Sequence, residues 1–329
     1  MAVTFVMRIT FLLLLAVAYG LAEGAPPIAK HNCRDRCGNV SIPYPFGIGS
    51  NCFMHKTYEI VCNESGVAAA AIAFLPSIQV EVLEIRLIDP FNIDEDPLSE
   101  PGLIRVMMPI FSSNCPNKSS VAERDGVVDI SKTPFFFSSY GNIFVSVGCN
   151  NKATMVGHDS TVFFGCKTDC NNQKLRGKCT GFDCCQTTVP SDGTSGIQRL
   201  NVTLESTTNN MNTCTHAFLA ETQWLESNKT DPSNDVQYLD YVPVALAWTS
   251  IINLTFAEAR RRNMYLYTTS AGASYYYCLG GYEGNPSLSM GCQGKLLLPR
   301  RSFFPNFLHY MPNFDSYICI YIYIYIILN

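Results

Sequence analysis

Fifteen cysteines are the residues of this chain most able to do chemistry. Cys319 stands apart near the C-terminal end, and setting it aside leaves fourteen (15 − 1) between Cys33 and Cys292. They are Cys33, Cys37, Cys52, Cys62, Cys115, Cys149, Cys166, Cys170, Cys179, Cys184, Cys185, Cys214, Cys278 and Cys292. An even set of this density reads as a disulfide framework in an oxidising compartment, although spacing alone leaves the connectivity open. Cys184 and Cys185 are adjacent and cannot easily bond each other across a trans peptide, so each is expected to staple a different neighbour. The competing chemistry is a zinc site from Cys166-x3-Cys170 with Cys179 and Cys184. Thiolate ligands lose to oxidation in an exported chain, so neither a metal nor a cofactor is expected.

Six N-x-S/T sequons, at Asn39, Asn63, Asn117, Asn201, Asn228 and Asn253, point to the same compartment, each asking for an exposed loop or strand edge to carry a glycan. Charge is distributed unevenly. The formal net charge is −4, which gives no basic field for nucleic acid. Yet between residues 30 and 62, Lys30, Arg34, Arg36 and Lys56 stand against Asp35 and Glu59, with His31 and His55 alongside. Aromatic Tyr44, Phe46, Phe53 and Tyr58 are interleaved with them. For the rings the competing role is core filling beneath disulfides, and for the cations simple solvation.

Catalytic patterns are missing. No G-x-S-x-G elbow or H-E-x-x-H zinc motif occurs, and no kinase signature. His158-Asp159-Ser160 has triad residue types, but neighbours in sequence cannot form a relay that needs side chains meeting through space. Asp94-Glu95-Asp96 lies among prolines and reads as a solvated loop, lacking the spacing and glycine of a calcium-binding loop.

The elements that must position these residues are mainly strands. Phe11 to Ala18 form a short apolar run after Arg8, followed by small residues at Gly20, Ala22 and Gly24, which is the pattern of a secretory signal over residues 1–24. Pro43-Tyr-Pro45 forbids helix and forces extended backbone around it. Alternation predicts a half-buried strand through Tyr58–Val61 and further strands at Val80–Ile88, Leu103–Met107, Ile143–Val147, Ile197–Leu204 and Ala217–Ala220. Asp89–Pro101, acidic and proline-bearing, reads as a loop. The one helical candidate is short, Phe256–Asn263. After Gln293 the character changes: Gly294-Lys295 is what the bases GGTAAG encode and Tyr321–Ile326 what a TATATA repeat encodes, so residues 294–329 read as translated intron. Tyr317–Leu328 is too short to span a bilayer.

Three stretches carry a family resemblance. Cys33-x3-Cys37-Gly38 with Ile42-Pro-Tyr-Pro-Phe-Gly47, Cys52 and Cys62 resembles the galacturonan-binding module at the N-terminus of plant wall-associated receptor kinases. Cys179-x-Gly181-x2-Cys184-Cys185-Gln186-x2-Val189-Pro190, with Pro243-Val-Ala-Leu-Ala-Trp248 downstream, resembles the Cys-rich module that follows there. Gly281-Tyr-Glu-Gly-Asn-Pro286 through Cys292-Gln293 resembles an EGF-like repeat. The resemblance departs where the family has a cysteine and this chain has Phe256 or Tyr276, which predicts that residues 253–293 are a disordered remnant.

The expected organisation is a signal peptide over 1–24, a galacturonan-binding-like module over 25–140, a Cys-rich module over 141–252, the EGF-like remnant over 253–293 and the tail over 294–329. The expected fold class is mainly β, disulfide-rich and loop-rich, with little helix. The resemblance implies no enzyme activity in this region. It implies instead an extracellular, wall-located protein that binds an anionic polysaccharide of the pectin or oligogalacturonide type, meeting a membrane only through a longer parent receptor or weak tail contact. A kinase-less receptor fragment and a secreted decoy are its alternatives. Carboxylated sugars ask for cations beside aromatic faces, so the implied contacts are Arg34, Arg36, Lys56, Tyr44, Phe46 and Tyr58.

Overall fold

In the computed structural model the described residues are 26–64, 71–87, 102–115, 126–157, 163–171, 179–190, 196–206, 214–227, 232–248, 254–268 and 274–294. The signal segment, the loop at 89–101, the tail from 295 onward and the sequons Asn117, Asn228 and Asn253 lie outside them. The remaining sequon asparagines, Asn39, Asn63 and Asn201, are exposed.

The chain begins with a ribbon of β1 (Arg36–Cys37) and β2 (Val40–Ser41), followed by a 3-10 turn at Lys56–Tyr58. Gly38 and Asn39 join the ribbon, and Gly38 sits at φ +56°, as a two-residue hairpin loop with glycine first requires. Next come β3 (Val61–Asn63), β4 (Ile72–Leu75), β5 (Val80–Leu87) and β6 (Gly102–Pro109), then the short β7 (Phe111–Ser113), β8 (Val127–Asp129) and β9 (Phe135–Phe137). The middle of the chain supplies β10 (Asn142–Val147), β11 (Asn151–Gly157), β12 (Phe163–Lys167), β13 (Cys184–Thr188), β14 (Arg199–Ser206), β15 (Thr215–Glu221) and β16 (Tyr241–Trp248), with short helices at Thr222–Glu226 and Pro232–Asp235. A last unit holds a helix at Phe256–Arg261, the hairpin β17 (Met264–Thr268) and β18 (Ser274–Cys278), and the pair β19 (Tyr282–Gly284) and β20 (Cys292–Gly294). The fold is mainly β, as its alternating sequence predicts.

Three antiparallel sheets make the body: β3-β4-β5-β6-β16-β9, β13-β10-β15-β7 and β12-β11-β14-β8. A division of the chain near residue 140 has no counterpart in these sheets. β16 hydrogen-bonds β6 along most of its length, while β7 and β8 join sheets whose other strands all lie beyond residue 140. The reason is burial: every residue of β16 after Tyr241 is buried, and so is every residue of β15. Strands covered on both faces must sit between layers, whichever stretch of chain they come from. Pro243 is accommodated inside β16 because β9 reaches only Leu246–Trp248 on the far side, leaving no ladder partner that needs its missing N–H.

The main core gathers side chains from both halves of the chain, from Ile42 and Phe46 to Leu246 and Trp248. Phe46, Tyr58, Phe135 and Trp248 form one ring cluster, with centroids 5.2 Å apart for Phe46–Tyr58 and 5.6 Å for Phe46–Trp248. The Trp248 indole lies flat over Gly102, where any side chain would collide with it. The strand expected through Tyr58–Val61 begins only at Val61, because the 3-10 turn ends at Tyr58 and Glu59 makes a single bridge to Gly47. The alternation was nonetheless meaningful: Tyr58 and Ile60 are buried while Val61 is exposed.

All fourteen expected cysteines are paired: Cys33–Cys52, Cys37–Cys62, Cys115–Cys214, Cys149–Cys170, Cys166–Cys185, Cys179–Cys184 and Cys278–Cys292. The adjacent Cys184 and Cys185 do bond different partners. Cys319 lies outside the described residues.

The expectation of disorder over 253–293 is corrected. Its described residues fold around a small core of Ala259, Met264, Tyr276, Cys278 and Cys292. The helix there has a capping box, Thr255 accepting from the Glu258 backbone while Glu258 accepts from the Thr255 backbone. Tyr276, at a position where the resemblance implies a cysteine, uses its hydroxyl to accept from Leu254 N at 2.7 Å and donate to Leu254 O at 3.1 Å. A hydrogen-bonded brace thus ties β18 to the start of the helix.

Candidate functional site

The N-terminal candidates fall into two sets. Phe46 and Tyr58 are fully buried at 0% exposure, inside the ring cluster. They are removed from the contact surface, because rings packed against one another, Phe46 edge-on to Tyr58 and Trp248 and stacked on Phe135, have no face to offer a ligand. Burial raises the Tyr58 phenol far above its ordinary value, and its hydroxyl has no hydrogen-bond partner among the described residues.

Arg34, Arg36, Lys56 and Tyr44 remain accessible. Arg34 pairs with Glu64 at 2.5 Å, but both side chains are open to water, 46% and 60% exposed, so the pair is weak and exchangeable. Lys56 is 73% exposed, pairs with Glu59 at 2.5 Å and lies 5.8 Å over the Phe53 ring. Arg36 is exposed on β1, opposite Ser41, and has no ion pair among the described residues. Tyr44 is half-buried, which pushes its phenol upward. Lys30 sits 5.5 Å over the Tyr44 ring and donates to Asn51 O at 2.9 Å. The result is two cation-over-ring pairs, Lys30–Tyr44 and Lys56–Phe53. Exposed His55 caps the turn carrying Lys56, accepting from Thr57 N.

The disulfides explain how short, irregular backbone holds these groups. Cys33–Cys52 places Arg34 and Phe53 next to one cross-link, and Cys37–Cys62 fastens β1, with Arg36, to β3. Asn285 closes the arrangement from the other end of the chain. Fully buried, it donates to Ile28 O at 2.8 Å and Tyr44 O at 2.5 Å. No local pattern in the sequence connects Asn285 with Tyr44, which lies 241 residues away.

Chemically, cations paired weakly or not at all beside accessible rings can exchange their surface partners for carboxylates, with the rings meeting sugar C–H faces. Elsewhere, the described residues bring three groups of metal-ligating type together, Cys115, Cys214 and His216, but both sulfurs are committed to one disulfide. Arg105 is held by Glu221 at 2.6 Å and Glu84 at 3.2 Å across sheet layers, an arrangement that ties β5, β6 and β15. No helix among the described residues is long and apolar enough to cross a membrane.

Comparison with known proteins adds to this geometry. Residues 33–93 match the family described as wall-associated receptor kinase galacturonan-binding, and residues 176–255 match wall-associated kinase. Wall-associated receptor kinase-like 6 of Arabidopsis thaliana is 30% identical over 293 residues, covering 79% of this chain and 44% of the relative. Wall-associated receptor kinase-like 5 of the same plant is 30% identical over 290 residues, 79% of this chain and 38% of the relative. Wall-associated receptor kinase-like 1 is 31% identical over 229 residues, 66% of this chain and 30% of the relative. The chain therefore spans less than half the length of these curated relatives. No solved structure matches.

Proposed function

From the premise that this chain is a wall-associated receptor kinase-like ectodomain, we propose that its work is non-catalytic binding of an anionic wall polysaccharide, pectin or oligogalacturonide, outside the cell. The observation that carries the reading is the coincidence of two facts in one segment. Residues 33–93 match the galacturonan-binding family, and the same stretch keeps Arg34, Arg36 and Lys56 exposed on a disulfide-fixed frame. Arg34 and Arg36 meet sugar carboxylates through two N–H groups at once, while Lys56 and Lys30 act as point charges beside the Phe53 and Tyr44 rings. Phe46 and Tyr58 contribute by holding the frame rigid from below.

The test is titration of oligogalacturonide fragments, without calcium, onto the intact secreted chain at several salt concentrations. The intact chain is needed because β16 completes the sheet that β3–β6 begin. Arg34→Glu, Arg36→Glu and Lys56→Glu combined should weaken binding by at least about tenfold and flatten its salt dependence, since three attractive charges become repulsive. Unchanged affinity and salt slope in a variant that melts normally would overturn the assignment.

A further inference from the structure

We propose that the Cys115–Cys214 disulfide is a thiol-exchange site, opened by small extracellular thiols ahead of the other six and modified at Cys115. The proposal stands independently of polysaccharide binding and rests on a side-chain cluster no part of that function uses. His216, on β15, is buried at 3% exposure with its ring fixed at both nitrogens. Nδ1 lies 2.7 Å from Ser112 Oγ on the paired strand β7. Nε2 lies 3.2 Å from Cys214 Sγ and 3.9 Å from Cys115 Sγ.

Accessibility and chemistry select this disulfide in turn. An attacking thiolate must reach a sulfur, and four disulfides have at least one buried partner: Cys37, Cys185, Cys184, and both Cys278 and Cys292. Three are half-buried at both ends, namely Cys33–Cys52, Cys149–Cys170 and Cys115–Cys214. Among the described residues, only Cys115–Cys214 has an imidazole against its sulfurs. Exchange is faster when the departing sulfur leaves as a stabilised thiolate, which an adjacent N–H or imidazolium supplies. In the tautomer whose Nδ1 accepts from the Ser112 hydroxyl, Nε2 carries the proton and faces Cys214 Sγ.

The step balances as follows. A monothiol, as its thiolate RS−, attacks Cys115 Sγ and forms an RS–S bond there. The Cys115–Cys214 bond breaks, and its electron pair leaves on Cys214 Sγ, which takes the Nε2 hydrogen bond and then a proton from solvent. A second thiolate attacking the mixed disulfide releases RSSR and the Cys115 thiolate, so two thiols supply two electrons. The consequence is structural as well as chemical. This cross-link joins the segments just after β7 and just before β15, across a sequence separation of 99, so opening it frees the edge strand β7 from its covalent tie.

The experiment exposes the full-length secreted protein to reduced glutathione under native conditions, quenches by alkylation, and maps each cysteine by mass spectrometry over time. The expected first product carries glutathione on Cys115 and an alkylated thiol at Cys214, with the other six disulfides intact. His216→Gln should slow its formation about tenfold or more, because a flexible amide without the Ser112 contact no longer aims a fixed N–H at the departing sulfur. Ser112→Ala should slow it by a smaller factor by loosening the ring, and decides the matter should His216→Gln fail to fold. Another disulfide opening first would overturn the proposal. So would unchanged exchange rates in correctly folded variants.

Discussion

The N-terminal segment through Asn63 and the C-terminal unit from Leu254 to Gly294 are both built from short elements, yet they are held together in opposite ways. The first has a two-stranded ribbon, a 3-10 turn and the three-residue β3, but it drives Ile42, Phe46, Tyr58 and Ile60 into the large core shared with Phe135 and Trp248. Its two disulfides fix a surface whose foundation is already packed. The second buries Ala259, Met264, Tyr276, Cys278 and Cys292 in a cluster of its own, with Cys278 and Cys292 supplying one cross-link. The regions meet where Asn285 grips Ile28 O and Tyr44 O. Shortness of elements is therefore a poor guide to stability. What decides it is whether the side chains reach a core large enough to offset the entropy of ordering the chain.

The largest test of that contrast is Phe46→Ala. It empties the centre of the ring cluster and should lower global stability by about 3–5 kcal/mol, the usual cost of deleting a buried aromatic. Denaturant unfolding followed by tryptophan fluorescence reads it through Trp248, 5.6 Å from the Phe46 ring. A loss under about 1 kcal/mol would mean that the segment's hold lies in its disulfides instead.

The second test works from the other side. Replacing Cys278 and Cys292 together by Ala should cost about 3 kcal/mol in the chain-entropy account, for a loop closing a separation of 14. With so small a core nearby, residues 254–294 should become cleavable by protease while the three-sheet body melts as before. Removing Cys33 and Cys52 in the same way should leave Phe46 seated and its neighbourhood protected. Equal proteolysis in both variants would erase the distinction between the regions.

How much of this was legible in the sequence differs between the same regions. β5 and β6 were readable because one face of each alternates with the other. β15 and β16 were harder, because burial on both faces turns alternation into an apolar run whose partner strands can lie anywhere in the chain. The sheets therefore run across the boundary expected near residue 140. At the candidate site, residue types were informative: Arg34, Arg36 and Lys56 remain exposed, as their charge demands. Pairing was not, since Arg34 meets Glu64 from 30 residues away, where Cys37–Cys62 joins β1 to β3. Phe46 and Tyr58 looked like ring faces because aromatic content beside cations cannot say which side of a short segment faces inward. The cluster of Ser112, Cys115, Cys214 and His216 had no linear signal, as it needs the β7–β15 register.

Missing cysteines were the most misleading signal, and they lead to the finest test. Loss of the family's cysteine at 276 suggested that the C-terminal unit could not fold, because a cross-link was counted and no replacement was visible. The replacement is a phenol: Tyr276, itself buried, satisfies both the N–H and the C=O of Leu254 just before the capped helix. Tyr276→Phe keeps the ring in the small core and removes only that brace. The expected cost is about 1 kcal/mol, the net worth of a neutral hydrogen-bonded group, confined to this unit. Hydrogen exchange should reveal it as lost protection at the Leu254 amide, with the amides of β15 and β16 unmoved. If Leu254 exchanged no faster in the variant, the hydroxyl would be a bystander, and the unit's order would rest on Cys278–Cys292 and its few apolar contacts alone.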